Sequence, residues 1–150
     1  MTIMLSQISA SCWRVTLHAT RIPVRAVVFK PDIEDLVEWP VIVVCAGKLL
    51  SCWERDSYIV GPVGHWPSSK RAGIEEFLNE EGGAINVPRA GIYMQQVQRS
   101  WWSLRAKPPA PVVSFINGRH RTRYLIDAGV NSLPIQVHAS QAALLREVCA

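Results

Sequence analysis

Residues 112–137 leave this chain few ways to fold. The stretch 112–116 is rich in β-branched and apolar residues and reads as a strand. Asn117 is a good helix N-cap, Gly118 permits close backbone approach, and residues 119–128 follow as a helix that Gly129 closes from the C′ position. Residues 133–137 then make a further strand. Around this unit, strands are expected at 13–18, 22–29, 40–45 and 92–97, the first two able to form a hairpin through Ala19, Thr20 and Arg21. Helices are expected at 46–55, at 73–80 with a stop at Gly82 and Gly83, and at 140–149 with Ser140 as cap. The density of Gly, Pro and Ser makes 56–71 a loop, and 107–111 is a stiff, proline-rich extended joint. This mixed order predicts an α+β (mixed α/β) domain.

A length of 150 residues suits one domain spanning 1–150, with residues 1–12 as a ragged N-terminus and no room for a second substantial unit. Six tryptophans and 49% hydrophobic residues supply a core and exclude the profile of a disordered chain. No apolar run approaches the ~20 residues needed to cross a bilayer. The first dozen residues lack the basic segment of a secretory signal. Cys12, Cys45, Cys52 and Cys149 show neither a C-x-x-C pair nor zinc-ligand spacing, so reduced thiols and a cytoplasmic location are expected.

Charge is distributed unevenly. Between Gly82 and Ile126 there is no acid, while Arg89, Arg99, Arg105, Lys107, Arg119, Arg121 and Arg123 supply seven positive charges. The remainder holds nine basic residues and all 12 acids, four of them (Asp32, Glu34, Asp35 and Glu38) in one short loop. Such asymmetry points to an anionic partner, DNA or a nucleotide, for the C-terminal half. A solvated surface balanced by acids elsewhere in the fold is the plainer alternative.

The strand end at Asn117 and Gly118, feeding a helix whose first turn holds Arg119, His120 and Arg121, has the makings of an anion-binding device. Free N–H groups and the helix dipole favour a phosphate, glycine admits it to the backbone, and two guanidiniums and an imidazole add charge-assisted bonds. Cations at a helix N-terminus oppose the dipole, so the arrangement makes most sense with an anion to compensate them. In roles, Arg119 and Arg121 would neutralise charge on a phosphoryl oxygen, and His120 would orient it or exchange a proton. The competing interpretation is a set of surface ion pairs, with Arg123 to Asp127 at i,i+4 the obvious one.

The run from Phe115 to Leu125, with Gly129-Val130 and Leu133-Pro134-Ile135 behind it, resembles the Gly-x-His/Arg-Arg box of the ParB/sulfiredoxin superfamily. The wider order resembles more closely the plasmid fertility-inhibition family, which includes oncogenic-suppression proteins. The matching features are the strand at 41–44 before Lys48-Leu49-Leu50 and Trp53, then Asp56, Trp66 with Lys70, Glu76 with Glu80, Asn86-Val87-Pro88 with Ala90, and the box itself. The resemblance covers 38–148. It implies a ParB/sulfiredoxin-like fold, inhibition of conjugative or T-DNA transfer through a type IV secretion system, and ATP and DNA hydrolysis, with Gly118, Arg119, His120 and Arg121 holding phosphates. The sulfiredoxin branch carries a cysteine directly before the His-Arg pair. Arg119 stands there in this chain, so sulfinic acid reduction is not expected.

His65 and Trp66 are candidates for a general base and a stacking platform, and Trp101-Trp102 between Arg99 and Arg105 has the interleaving of a single-strand binder. Each pair also reads as ordinary packing, as do His18 and His138. No acids at metal-ligand spacing lie in the basic half, so a Mg²⁺ site would need Asp56, Glu75, Glu76 or Glu80 brought in by the fold. Three function classes remain open at this point: an ATPase and DNase, a non-enzymatic module that docks on the transfer machinery, and a DNA-binding protein without turnover.

Overall fold

A computed structural model describes residues 4–17, 23–79, 83–96 and 108–150. Among the described residues eight strands and four helices follow one another as β1 (Met4–Ser9), β2 (Cys12–Thr16), β3 (Ala26–Lys30), β4 (Val41–Cys45), α1 (Ala46–Trp53), α2 (Ser68–Phe77), β5 (Ile85–Asn86), β6 (Ala90–Gln95), β7 (Ala110–Phe115), α3 (Arg119–Asp127), β8 (Ser132–Gln136) and α4 (Ala139–Cys149), with a 3₁₀ turn at Val63–His65. The architecture is mixed α/β.

Three sheets share the work. β1, β2, β3 and β5 form one, with antiparallel β1–β2 and β2–β3 pairs and a short parallel β3–β5 pair. β4 pairs antiparallel with β8, and β6 with β7. Strand alternation does what a two-residue period requires: Trp13 and Val15 of β2 and Ile42 and Val44 of β4 point inward, whereas Val43 faces out. The buried residues make one cluster in which Trp53 and Leu49 of α1, Leu125 of α3, Leu133 and Ile135 of β8 and Leu145 of α4 are wholly enclosed. The indole of Trp53 packs on Phe115 with ring centroids 4.5 Å apart, so the end of β7 is tied directly to the core.

Several expectations are corrected. The N-terminus is not ragged from 4 onward: β1 is an edge strand whose Ser6, Gln7 and Ser9 face solvent. The helix expected at 73–80 starts at Ser68, directly after Pro67, and ends at Phe77. Proline ahead of the first turn loses no helical hydrogen bond, which is why residues 68–71 of the expected loop are helix, while 56–67 is loop with one 3₁₀ turn. Ser140 lies inside α4, and the cap is His138, whose ring Nδ1 accepts the Ser140 N–H at 3.2 Å. Asn117 does not cap α3 either. That position belongs to Gly118, at φ +74° and ψ 11°, and the Asn117 side chain is used elsewhere. His18, residues 19–21, Glu80, Gly82, Arg99, Trp101, Trp102, Arg105 and Lys107 lie outside the described residues.

Candidate phosphate-binding site

The loop between β7 and α3 is set by Arg89, directly before β6, the strand paired with β7. The Arg89 carbonyl accepts N–H bonds from Ile116 at 2.9 Å and Asn117 at 3.3 Å, and the Arg89 N–H donates to Asn117 Oδ1 at 2.8 Å. Asn117 Nδ2 donates to Asp32 Oδ2 at 3.0 Å. Asp32 also accepts from Asn86 Nδ2 at 2.7 Å and pairs with the Arg89 guanidinium, which lies over Trp39. Asp32 is thus the hub of the loop, and it comes from the short acidic segment that also holds Glu34, Asp35 and Glu38.

Asp32 is itself held by Gln136, a wholly buried residue of β8. Its Oε1 accepts the N–H groups of Asp32 at 3.0 Å and Ile33 at 2.9 Å, while Nε2 donates to the carbonyls of Ile33 and Trp39, each at 2.7 Å. Every hydrogen-bonding site of one amide is spent on fixing one loop.

Gly118 turns the chain into α3 through the left-handed region that suits glycine, and its carbonyl accepts from both the N–H and the hydroxyl of Thr122. A Cβ at this position would stand 2.9 Å from the guanidinium of Arg121. Glycine therefore serves two ends here, backbone conformation and room for the arginine.

A cavity of about 470 Å³ opens over this turn. Its polar lining is Asn117, Gly118, Arg119, His120 and Arg121, and its apolar lining is Ile74, Phe77, Phe115 and Ile116. Arg121 donates through Nη2 to the Asn86 carbonyl at 2.8 Å, while its Nε, buried, has no hydrogen-bond partner among the described residues. Burial lowers its pKa and Asp32 opposes the shift, but a guanidinium remains charged. Arg119 is exposed at the rim. Trp66 meets His120 edge to face with centroids 5.6 Å apart and bonds the Gly61 carbonyl through Nε1.

Desolvation, first, and then the charges of Lys70 and Arg119 hold the His120 imidazolium below the usual histidine range. An anion bound among these groups favours the charged ring. By NMR, the His120 titration midpoint is expected below that of an ordinary histidine and should rise on adding tripolyphosphate, so binding tightens as pH falls through this interval. A midpoint that does not move with the anion present would place the anion elsewhere.

The remaining expected residues divide clearly. Asn117, Gly118, Arg119, His120 and Arg121 come together. Arg123 does not join them: it is buried and paired with Asp127 at 3.0 Å, the i,i+4 pair that competed with the anion interpretation, and Asp127 also accepts the Val63 N–H. Arg89 is committed to Asp32 and Trp39. His65 is exposed on the 3₁₀ turn. Glu75 accepts the Tyr124 hydroxyl at 2.9 Å and pairs with Arg71, which occupies one of the carboxylates considered for Mg²⁺. Among the described residues no three His, Cys, Asp or Glu side chains are grouped to hold a metal ion. The four cysteines are free thiols, with Cys52 and Cys149 buried and their sulfurs 3.9 Å apart. No helix among the described residues is long and apolar enough to cross a membrane.

Fold and site together describe a mixed α/β protein with a basic cavity at a strand–glycine–helix turn. Residues 41–150 match the family model described as plasmid fertility inhibition factor, which covers most of the chain, and the protein belongs to that family. Its fold is similar to the crystal structure of an oncogenic suppression activity protein, a plasmid fertility inhibition factor, solved as a gold(I) cyanide derivative. The TM-score is 0.60 at 12% sequence identity, over 100% of this chain and 76% of that one. No curated protein matches the chain.

Proposed function

We propose that this fertility inhibition factor acts by binding a nucleotide or nucleic-acid phosphate at Gly118, Arg119, His120 and Arg121, and by hydrolysing it. Arg121 carries the reading: a guanidinium in the wall of a cavity that gives one N–H to the Asn86 carbonyl and keeps a buried Nε–H without a partner among the described residues, beside a glycine whose missing side chain makes room for it. ATP and DNA both present the required phosphate. In the hydrolytic step water attacks phosphorus and the bond to the leaving oxygen breaks. His120 takes the water's proton and returns it to the leaving group, while Arg119 and Arg121 neutralise the developing charge. The nearby carboxylates are engaged by protein groups, Asp32 by Asn86, Asn117 and Arg89, and Glu75 by Tyr124 and Arg71.

The ParB/sulfiredoxin-like assignment goes with this reading, supported by the strand, left-handed glycine and helix in sequence. So do a cytoplasmic site of action, Mg²⁺ arriving on the phosphates of its ligand, and interference with T-DNA as well as plasmid transfer by a type IV secretion system. A second reading, a module that docks on the transfer machinery without turnover, draws on the exposed Arg119 and Ile116 at the rim. Titration of tripolyphosphate, ATP and linear DNA into wild type and Arg121→Ala tests the binding step. Losing a charge-assisted bond costs about 1.5–3 kcal/mol, so affinity should fall roughly 10- to 150-fold. Unchanged affinity for all three ligands in Arg121→Ala would remove the reading.

A further inference from the structure

The cavity is only half basic. Its other half is made by Ile74 and Phe77 of α2 and by Phe115 and Ile116 at the end of β7, and two of these are costly to leave bare: Phe77 is 49% exposed and Ile116 57%. α2 has no fully buried side chain, and of its residues Ile74 packs on the core whereas Phe77, at its last turn, does not. The Arg121 guanidinium sits 5.7 Å from the Phe77 ring centroid. Aromatic surface and phosphate-binding charge therefore meet at one residue pair. A bare phosphate has no use for an apolar wall, whereas a nucleoside phosphate carries a flat aromatic base beside its charge.

Resting on the phosphate-binding reading above, we propose that the apolar flank is a nucleobase pocket in which Phe77 is the stacking platform and Ile116 a second apolar contact. The volume of about 470 Å³ lies in the range of small-ligand sites. The base and phosphate can come from a free nucleotide or from a nucleotide of a DNA strand, and both present the same two faces.

The experiment is equilibrium binding of ATP, tripolyphosphate and a short single-stranded DNA to wild type, Phe77→Ala, Phe77→Trp and Arg121→Ala. Wild type should bind ATP or the DNA more tightly than tripolyphosphate. Phe77→Ala should lose about tenfold for the base-bearing ligand, the scale of one stacked base, and nothing for tripolyphosphate. Phe77→Trp should restore binding. Loss confined to ATP names the free nucleotide as ligand, and loss confined to DNA names the strand. Tripolyphosphate binding that depends on Arg121 while Phe77→Ala leaves ATP and DNA unaffected overturns the base pocket and spares the phosphate site. An equal loss for all ligands in Phe77→Ala would mean that the ring only positions Arg121, and it too overturns the proposal. No Arg121-dependent binding of any ligand would sink both.

Discussion

Replacing Gln136 by Leu should lower the unfolding free energy by about 3–5 kcal/mol, although the two side chains have similar volume. The amide is wholly buried and serves four backbone groups, the N–H groups of Asp32 and Ile33 and the carbonyls of Ile33 and Trp39. Leucine satisfies none of them. Each group left buried without a partner costs about 1–3 kcal/mol, and some recover water because the loop is only partly buried, so the total falls below the simple sum. At about 2–4 °C per kcal/mol for a chain of this size, the melting temperature should drop by about 10 °C. Chemical denaturation should show a lower midpoint at unchanged slope, because the loss lies in native-state bonds. A decrease below about 1 kcal/mol would show that the loop is held by something other than this amide. The same substitution should loosen Asp32 and, through it, the Asn117 loop, so that anion affinity falls in a protein that still folds.

Where sequence reasoning succeeded, the signal was local. The strand and helix at Pro40 to Trp53 follow from a β-branched run and a helical composition next to each other, and α3 is bounded by Gly118 and Gly129, both at positive φ in the structure. The five residues of the box come together because they are consecutive, and a turn followed by a helix needs no distant partner to bring them close. Where it failed, a distant partner decided. Asn117 has the chemistry of a cap, but its amide oxygen accepts the Arg89 N–H in place of a helix N–H, and its Nδ2 donates to Asp32. Asp32 stands 85 residues from Asn117, and Gln136 stands 104 from Asp32. No periodicity or spacing connects them. The imbalance of charge between the two halves was a hint that acids return to the basic half, and Asp32 is one that does. Phe77 was legible as part of a helix and illegible as a cavity wall, since only the approach of α2 to the β7–α3 turn gives it that place. Arg123 carried two interpretations, and burial beside Asp127 favours the structural one.

His120 and Arg121 are neighbours in one cavity, and their substitution should have opposite kinetic signatures. A guanidinium can donate hydrogen bonds and charge but cannot give up its proton near neutral pH. Desolvation, Lys70 and Arg119 hold the imidazole of His120 below the usual histidine range, which favours the uncharged ring that the proposed transfer of a proton from water requires. Its contact with Trp66 fixes the ring against the cavity. His120→Ala should therefore reduce the turnover number for ATP or DNA hydrolysis by roughly 100-fold or more, while affinity stays within about tenfold of wild type. Arg121→Ala should instead raise KM or Kd. The pH profile separates a proton-transfer role from a structural one: wild-type kcat/KM should fall as pH drops through the lowered pKa of His120 in the free protein, the kcat limb should lie higher because the bound anion favours the charged ring, and in His120→Ala both limbs should disappear. Rescue of the alanine variant by added imidazole would assign the missing function to the ring itself. Should both substitutions leave hydrolysis intact yet abolish inhibition of plasmid transfer, the box is a surface for docking on the transfer machinery, and the cavity does its work by binding alone.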